Sequence, residues 1–493
     1  MCNNYQGNFS MQFDTWFVSR AIPGVKFITT IFPKKIRFSI DTRTLVPGDI
    51  FVAIKGTRFD GHEFIVSALE KGAAGILCQE SGLGYIQKFT DQDALKKTCI
   101  MIVPDTTKAL CMLAHAWRKQ FSYPVVAITG SVGKTSTKEY LAYIMKANKK
   151  NYIVSQGNQN TFIGIALTML SMRDDHDGAI FEIGIDKAGQ MKEKAALVDP
   201  TIAIITSVGH SHMEGIGSLG NIASEKRDIF SSFKESNIGI INGDQAVLSS
   251  MGYPHPIVKF GFKLSNQVQA RKVVIDSNGS SFILKLYDQK VSLTLPVIHK
   301  GALMNLLAAV SGAHFLGVSF PIILDSLKNL PLVNQRFVLH TLAQHSLIDD
   351  CYNASPESMK SALLAFELIS TNQKKIAILG DMYELGSDSA FWHRQIGRFL
   401  RKITSLDILV LVGSEVKQMI RFIPDRVLVI SAATWHEAII EIDRLLAESP
   451  SLLLVKASRG MALNNIVDHV LKKYDNQNLI NIIPAQDIES NQL

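Results

Sequence analysis

Val125-Val126-Ala127-Ile128-Thr129-Gly130-Ser131-Val132-Gly133-Lys134-Thr135-Ser136 decides how this chain is read. Its first five residues are apolar or β-branched without interruption, the composition of a strand buried on both faces. A glycine-bearing loop follows, and residues 135–148 then carry a helical pattern. Glycines let a backbone turn tightly and aim its N–H groups at phosphate oxygens. The N-terminus of the following helix adds positive potential. In this setting Gly130, Ser131, Val132, Gly133, Lys134, Thr135 and Ser136 form a loop for the phosphates of ATP. Lys134 would reach the β- and γ-phosphates, and the Thr135 hydroxyl would bind Mg²⁺. The usual pattern has glycine where Ile128 stands, so the loop is a shortened variant. An ordinary strand-to-helix turn is the plain alternative, and the strand–loop–helix context argues against it.

Outward from the loop, the chain divides by texture into three stretches, all of α/β type. Residues 1–122 alternate short strands and helices. Strands are expected over 36–43 and 49–55, around the Pro47-Gly48 turn, and over 99–103. Helices are expected over 64–72 and 107–121. Residues 123–330 add buried strands over 179–183 and 202–208, which implies a mostly parallel sheet covered by helices. Between 257 and 297 the period changes to two, with Asn278-Gly279 as a hairpin turn, and a helix over 303–315 closes the region. Residues 331–493 carry five further apolar strands in a Rossmann-like order, and Ser355-Pro356 has the look of a helix cap followed by proline at the first helical position.

Size and composition fit this division. The 493 residues are too many for one ordinary core. With 47% hydrophobic and 19% charged residues, a soluble globular protein is expected. Five scattered cysteines lack metal-ligand spacing and read as buried thiols of a reducing cytoplasm. No signal-peptide core or membrane-spanning run is found, so membrane insertion is not expected. A net charge of +7 without a dense basic tract points to small anionic substrates rather than nucleic acid.

Ligands of open α/β sheets collect at the carboxyl ends of strands. In the middle region those ends carry the phosphate loop, Glu182, and the pair His210 and His212. If the strands are parallel, Lys134, Thr135, Glu182 and His212 share one rim. An acid and an imidazole beside ATP suggest Mg²⁺ ligands, although that ion prefers oxygen. Loop histidines with only structural hydrogen bonds remain the alternative. In the last region the strands end at Asp350, Asp381, Gly413 and Lys456, where a lone aspartate is as readily a cap or turn residue as a functional one.

Several texts now resemble the Mur ligases, the amide-forming enzymes of peptidoglycan precursor synthesis. Asp41-Thr42-Arg43, Pro47-Gly48, the run from Phe51 to Gly56 and Asp60-Gly61-His62 are similar to the family's UDP-substrate region. The shortened loop is the family's own form, and Gly157-Asn158-Gln159-Asn160-Thr161 resembles its following segment. His212-Met213-Glu214-Gly215, the run from Asp350 to Met359 and Gly380-Asp381-Met382-Tyr383-Glu384 resemble the branch that adds D-alanyl-D-alanine. The Asp-Asn-Pro-Arg text of the diaminopimelate- or lysine-adding branch is not found.

The resemblance implies a monomeric, cytoplasmic ligase that uses ATP and Mg²⁺ to join a UDP-N-acetylmuramoyl-tripeptide to D-alanyl-D-alanine through an acyl-phosphate. It implies that Lys226 is carbamylated and helps Glu182, His212 and Thr135 hold metal, with Lys134 at the transferring phosphoryl group. From spacing alone Lys226 is a solvated helix residue. It further implies that Thr42, Arg43, Lys55, Gly56, Asn160 and Thr161 serve the UDP substrate. Asn305, Arg336 and Asp350 would serve ATP, and Tyr352, Asn353, Lys456, Ser458 and Arg459 the dipeptide side. Three departures stand out: Ala302 for the first asparagine of the family's His-Asn-x-x-Asn, Gln335 for glycine before Arg336, and Ala457 for glycine after Lys456. Another Mur ligase or a folylpolyglutamate synthetase-like ligase stays open, as does a phosphate-loop ATPase without ligase activity.

Overall fold

The computed structural model describes residues 13–33, 36–157, 159–210, 213–276, 279–297 and 299–474. These form two compact units. One comprises residues 1–125, 151–183 and 193–200; the other comprises 126–150, 184–192 and 201–493.

In the first unit a five-stranded sheet runs, edge to edge, Lys26–Thr29, Cys99–Ile102, Gly75–Cys78, Ile50–Val52 and Phe38–Ser39. Its strands pair in parallel, except that Lys26–Thr29 is antiparallel to Cys99–Ile102. Phe38–Ser39 is much shorter than the strand expected over 36–43, because Asp41 turns back to accept from the Arg43 N–H at 2.9 Å. The unit also holds the parallel pair Tyr152–Val154 and Gly178–Glu182. The helix Thr106–Arg118 is tied to this later stretch. Trp117 Nε1 donates to Met172 O at 3.0 Å, and the buried Arg118 donates to Val198 O and Asp199 O. The first 122 residues thus share their core with residues far along the chain.

The second unit contains two sheets. In the first, Val125–Thr129, Ile202–Ile205, Ile238–Asn242, Ile257–Gly261 and Val268–Asp276 follow one another as parallel neighbours. Gly279–Leu286 and Gln289–Leu295 continue it antiparallel, which is the period-two texture seen in the sequence. Asn278 of the expected hairpin turn lies outside the described residues. In the second sheet the order is Val338–Thr341, Ser346–Asp349, Ser451–Lys456, Lys374–Gly380, Ile408–Val412 and Leu428–Ala432. Only Val338–Thr341 is antiparallel to its neighbour. The strand Lys374–Gly380 sends Ala377 and Leu379 into one core and Ile376 and Ile378 into the other, so helices cover both faces. The first helix of this region begins as expected: Ser355 caps Pro356–Leu368 and exchanges hydrogen bonds with Ser358.

No helix among the described residues is long and apolar enough to cross a membrane. Cys78, Cys99, Cys111 and Cys351 are free thiols, and burial pushes the Cys78 and Cys99 thiols up to about 12. Cys2 lies outside the described residues.

Candidate active site

The strand Val125–Thr129 is fully buried and delivers the phosphate loop to the helix Lys134–Ala147. Gly130 has φ +154° and Gly133 has φ +93°, backbone that an L side chain resists. The neighbouring strand, Ile202–Ile205, supplies the loop's frame from its own carboxyl end. Thr206 Oγ1 donates to Val132 O at 2.6 Å, Val132 N to Ser207 Oγ at 3.0 Å, and Ser131 N to Ser207 O at 2.8 Å. From the opposite side comes Asn305, on the helix Lys300–Phe315. A β-carbon on Gly133 would stand 2.0 Å from Asn305 Oδ1, and Thr137 Oγ1 donates to Asn305 O at 3.4 Å. Lys134 Nζ donates to Gly130 O at 2.7 Å, and Ser136 is buried in the first helical turn. A loop braced on two sides, with glycine at both strained positions, is the cradle that a nucleotide's phosphates require.

Lys226 lies in the helix Leu219–Arg227 of the same unit and is 1% exposed, so it is not the solvated residue that its spacing suggests. Burial depresses its pKa well below the ordinary lysine value, and the charge of Lys134 adds to that; Glu225 opposes it. The Glu225 carboxylate is already engaged, accepting from Gly189 N and Met191 N at 2.8 Å each. Burial and the charge of Lys134 both disfavour the protonated form of the Lys226 amine.

In the first unit Glu182 is buried at the end of Gly178–Glu182 and accepts from Asn160 Nδ2 at 3.0 Å. Thr161 caps the helix Phe162–Leu170, which is a structural role. Lys194, not singled out in the sequence, is also buried and donates to Asn160 O at 3.3 Å. Arg43 is largely exposed but pinned to Asp41, whose carboxyl it pulls down to about 2. Thr42 O accepts from Lys71 at 2.7 Å. Lys55 bridges to Asp60, and Gly56 N donates to Phe59 O at 2.9 Å, closing a tight turn with Phe59 at its exposed tip.

The C-terminal region brings its candidates together at adjacent strand ends. Lys456 Nζ lies 2.7 Å from the Asp350 carboxylate and donates to Asn353 O at 3.1 Å, and Lys456 itself is 1% exposed. Tyr352 lies under two guanidiniums, Arg336 at 4.0 Å and Arg459 at 5.3 Å from its ring centroid. Ser458 Oγ accepts from Tyr383 N at 2.8 Å. Asp381 resolves to the structural alternative, because its carboxylate accepts from Val416 N at 2.8 Å and Ser414 N at 3.1 Å.

His299 was not anticipated. It caps the helix Lys300–Phe315 by accepting from Ala302 N at Nδ1, 3.1 Å. Burial lowers its pKa, so the ring is a neutral acceptor there, with Asp350 pulling the other way. This cap anchors the start of the helix that delivers Asn305. The other departures are also accommodated. Ala457 is fully buried against Gly380, and its backbone is not among those with positive φ. Gln335 keeps a glycine-like φ of +57°.

Magnesium favours hard oxygen donors and keeps phosphate oxygens and water in its shell. Among the described residues no group of three or more His, Cys, Asp or Glu side chains could hold a metal. Thr135 offers a hard oxygen at the phosphate loop itself, and an ion carried by nucleotide phosphates needs few protein ligands, so the loop fits it. His212 lies outside the described residues. His210 sits on Glu357 at 2.6 Å, a protein hydrogen bond of the kind the plain alternative supposes.

The chain matches known protein families along most of its length. Residues 37–118 match the Mur ligase family catalytic domain, 128–313 the Mur ligase middle domain, and 335–459 the Mur ligase glutamate ligase domain. The UDP-N-acetylmuramoyl-tripeptide--D-alanyl-D-alanine ligase of Bacillus subtilis (strain 168) is 31% identical over 437 residues, covering 88% of this chain and 92% of the relative. The crystal structure of MurF from Acinetobacter baumannii superposes with a TM-score of 0.79 at 26% identity, covering 93% of this chain and 99% of that one. MurF from Thermotoga maritima in complex with ADP gives 0.75 at 26% identity, over 89% and 97%. The chain belongs to the Mur ligase family.

Proposed function

We propose that this chain is an ATP-dependent ligase that adds D-alanyl-D-alanine to a UDP-N-acetylmuramoyl-tripeptide in peptidoglycan precursor synthesis. The observation that carries the reading is the extent of the match: the ligase of that name from B. subtilis aligns over 88% of the chain, and residues 37–118 match a Mur ligase model of their own. A folylpolyglutamate synthetase-like activity would leave that region unexplained. The free, buried thiols suit a cytoplasmic setting.

The tripeptide carboxylate attacks the γ-phosphorus of ATP, and ADP leaves. Hydroxide is a poor leaving group and phosphate a good one, so the acyl-phosphate divides one difficult substitution into two easier ones. The dipeptide amine then attacks the acyl carbon, inorganic phosphate departs, and the nitrogen loses a proton. The loop's N–H groups and Lys134 stabilise charge on the transferring phosphoryl group. Asn305 fixes the loop's glycine edge. Mg²⁺, when bound, supplies further charge neutralisation on the phosphate oxygens. Thr135 and Glu182 are the residues suited to hold it, and His212 joins them in this reading. Lys226 adds carbon dioxide and loses a proton from nitrogen to become an anionic carbamate, which replaces a buried amine by oxygen donors.

Thr42, Arg43, Lys55, Gly56, Asn160 and Thr161 serve the UDP substrate; all six fall in the first compact unit. Arg336 and Asp350 serve ATP, and Tyr352, Asn353, Lys456, Ser458 and Arg459 the dipeptide side. The three functional divisions are residues 1–122, 123–330 and 331–493. Incubation with ATP, Mg²⁺, UDP-N-acetylmuramoyl-tripeptide and D-alanyl-D-alanine, read by mass spectrometry, should yield the pentapeptide product. Product with a single amino acid in place of the dipeptide would refute the assignment.

A further inference from the structure

Gly209-His210, which follows the strand Ile202–Ile205, grips two different parts of the second unit. Toward the phosphate loop, Ser131 Oγ donates to Gly209 O at 3.1 Å and accepts from Gly209 N at 2.9 Å. Toward the helix Pro356–Leu368, His210 N donates to Glu357 Oε1 at 3.2 Å, and His210 Nδ1 lies 2.6 Å from the same oxygen. The approach is close: a β-carbon at 209 would stand 3.0–3.2 Å from the Glu357 carboxylate atoms, which would have to give by a few tenths of an ångström. The His210 ring also packs on Trp392 of the helix Ser389–Phe399, with centroids 4.2 Å apart. Two polar atoms in this junction have no hydrogen-bond partner among the described residues, the acceptor Glu357 Oε2 and the donor Trp392 Nε1.

We propose that Glu357 is a positioning residue for phosphoryl transfer: through His210 and Gly209 it sets Ser131, and so couples nucleotide occupancy of the loop to the placement of the C-terminal region. The proposal rests on the nucleotide reading of the loop. One side of the loop is held by residues 206–209, because Thr206, Ser207 and Gly209 bond to Val132 and Ser131. Hydrogen bonds are directional, so a displacement of Ser131 must be followed by Gly209 or break its paired bonds. The next residue carries the movement to the Glu357 carboxylate. Coupling between binding sites is reciprocal, so whatever Glu357 does to the loop, bound nucleotide does to the helix that carries Glu357. Glu357 touches no reacting atom in this scheme; it acts through His210.

A four-variant cycle in the full-length chain tests the coupling: wild type, Ser131→Ala, Glu357→Ala and the double variant, each measured for MgATP affinity and for KM and kcat of ligation. Each single substitution should weaken MgATP binding on the order of fivefold. The double variant should be no weaker than the worse single, because both cut one chain. Glu357→Gln keeps an acceptor oxygen for His210 and should recover most of the KM effect. Multiplicative losses in the double variant would overturn the proposal, since they are the mark of independent sites. So would a Glu357→Ala variant whose MgATP affinity equals wild type or whose losses fall on melting temperature alone; if Glu357→Ala does not fold, a Ser131→Ala variant with wild-type MgATP affinity overturns the proposal instead. Lys134→Ala separates the two levels. If it leaves MgATP affinity untouched, the loop reading fails; if it abolishes binding while the cycle is multiplicative, only the coupling fails.

Discussion

Asn305 Oδ1 occupies the space that a β-carbon on Gly133 would need, 2.0 Å from its position. The helix Lys300–Phe315 and the phosphate loop are therefore fitted to one another at the level of a single methyl group. Gly133→Ala meets this clash and also a φ of +93°, where an L side chain costs about 1–2 kcal/mol. MgATP affinity should fall on the order of tenfold or more, and titration calorimetry reads it directly. Wild-type affinity in Gly133→Ala would show that the loop is not built around this contact.

Lys134→Ala should abolish acyl-phosphate formation while the chain stays folded. Loss of a preorganised charge at the phosphoryl group costs on the order of 3 kcal/mol in barrier, about two orders of magnitude in kcat. Single-turnover assays with unchanged circular dichroism are the check. Near-normal turnover in a folded variant would remove Lys134 from the mechanism.

Gln335 stands at φ +57° immediately before Arg336, whose guanidinium lies over Tyr352. Gln335→Gly relieves about 1–2 kcal/mol of backbone strain. It also adds about 0.5–1 kcal/mol of unfolded-state entropy. The net should be a gain of up to about 1.5 kcal/mol, seen as a higher melting temperature. A lower one would mean that the side chain contributes more than its backbone conformation costs.

Lys226 carries a pH signature. Burial holds its pKa well below the ordinary value, whereas in the unfolded chain it titrates near about 10.4. Between those two pKa values the unfolded state binds the extra proton, so stability rises with pH through that window and the penalty is gone above about 10.4. Lys226→Met, compared with wild type in carbon-dioxide-free buffer, should flatten this rise. In ligation, Lys226→Ala should lose most activity and regain part of it with added short carboxylates, while Lys226→Arg should stay inactive. Parallel melting curves across pH, or a fully active Lys226→Ala, would count against the carbamate.

The α/β class, the phosphate loop and the Ser355 cap are legible in the sequence because each rests on local chemistry: apolar runs, glycines and capping side chains read the same in one dimension as in three. What escaped depends on distant residues. His299 reads as one more loop histidine until its ring is seen to accept from Ala302 N. Lys226 reads as a surface lysine, since its helix is only weakly patterned, and its burial shows only in three dimensions. Ile238–Asn242 was missed as a strand although it pairs on both sides in the sheet. Asp381 and Asp350 look alike as aspartates at strand ends. Only their partners, two backbone N–H groups for one and Lys456 for the other, tell them apart.

ADP release measured with each substrate alone and with both together tests the ligase assignment most directly. The account predicts little ADP with ATP and Mg²⁺ alone or with D-alanyl-D-alanine added. With UDP-N-acetylmuramoyl-tripeptide and D-alanyl-D-alanine present together, it predicts sustained release in a one-to-one ratio with amide product. Steady ADP release that ignores both substrates, with no amide formed, would contradict it and leave a phosphate-loop ATPase.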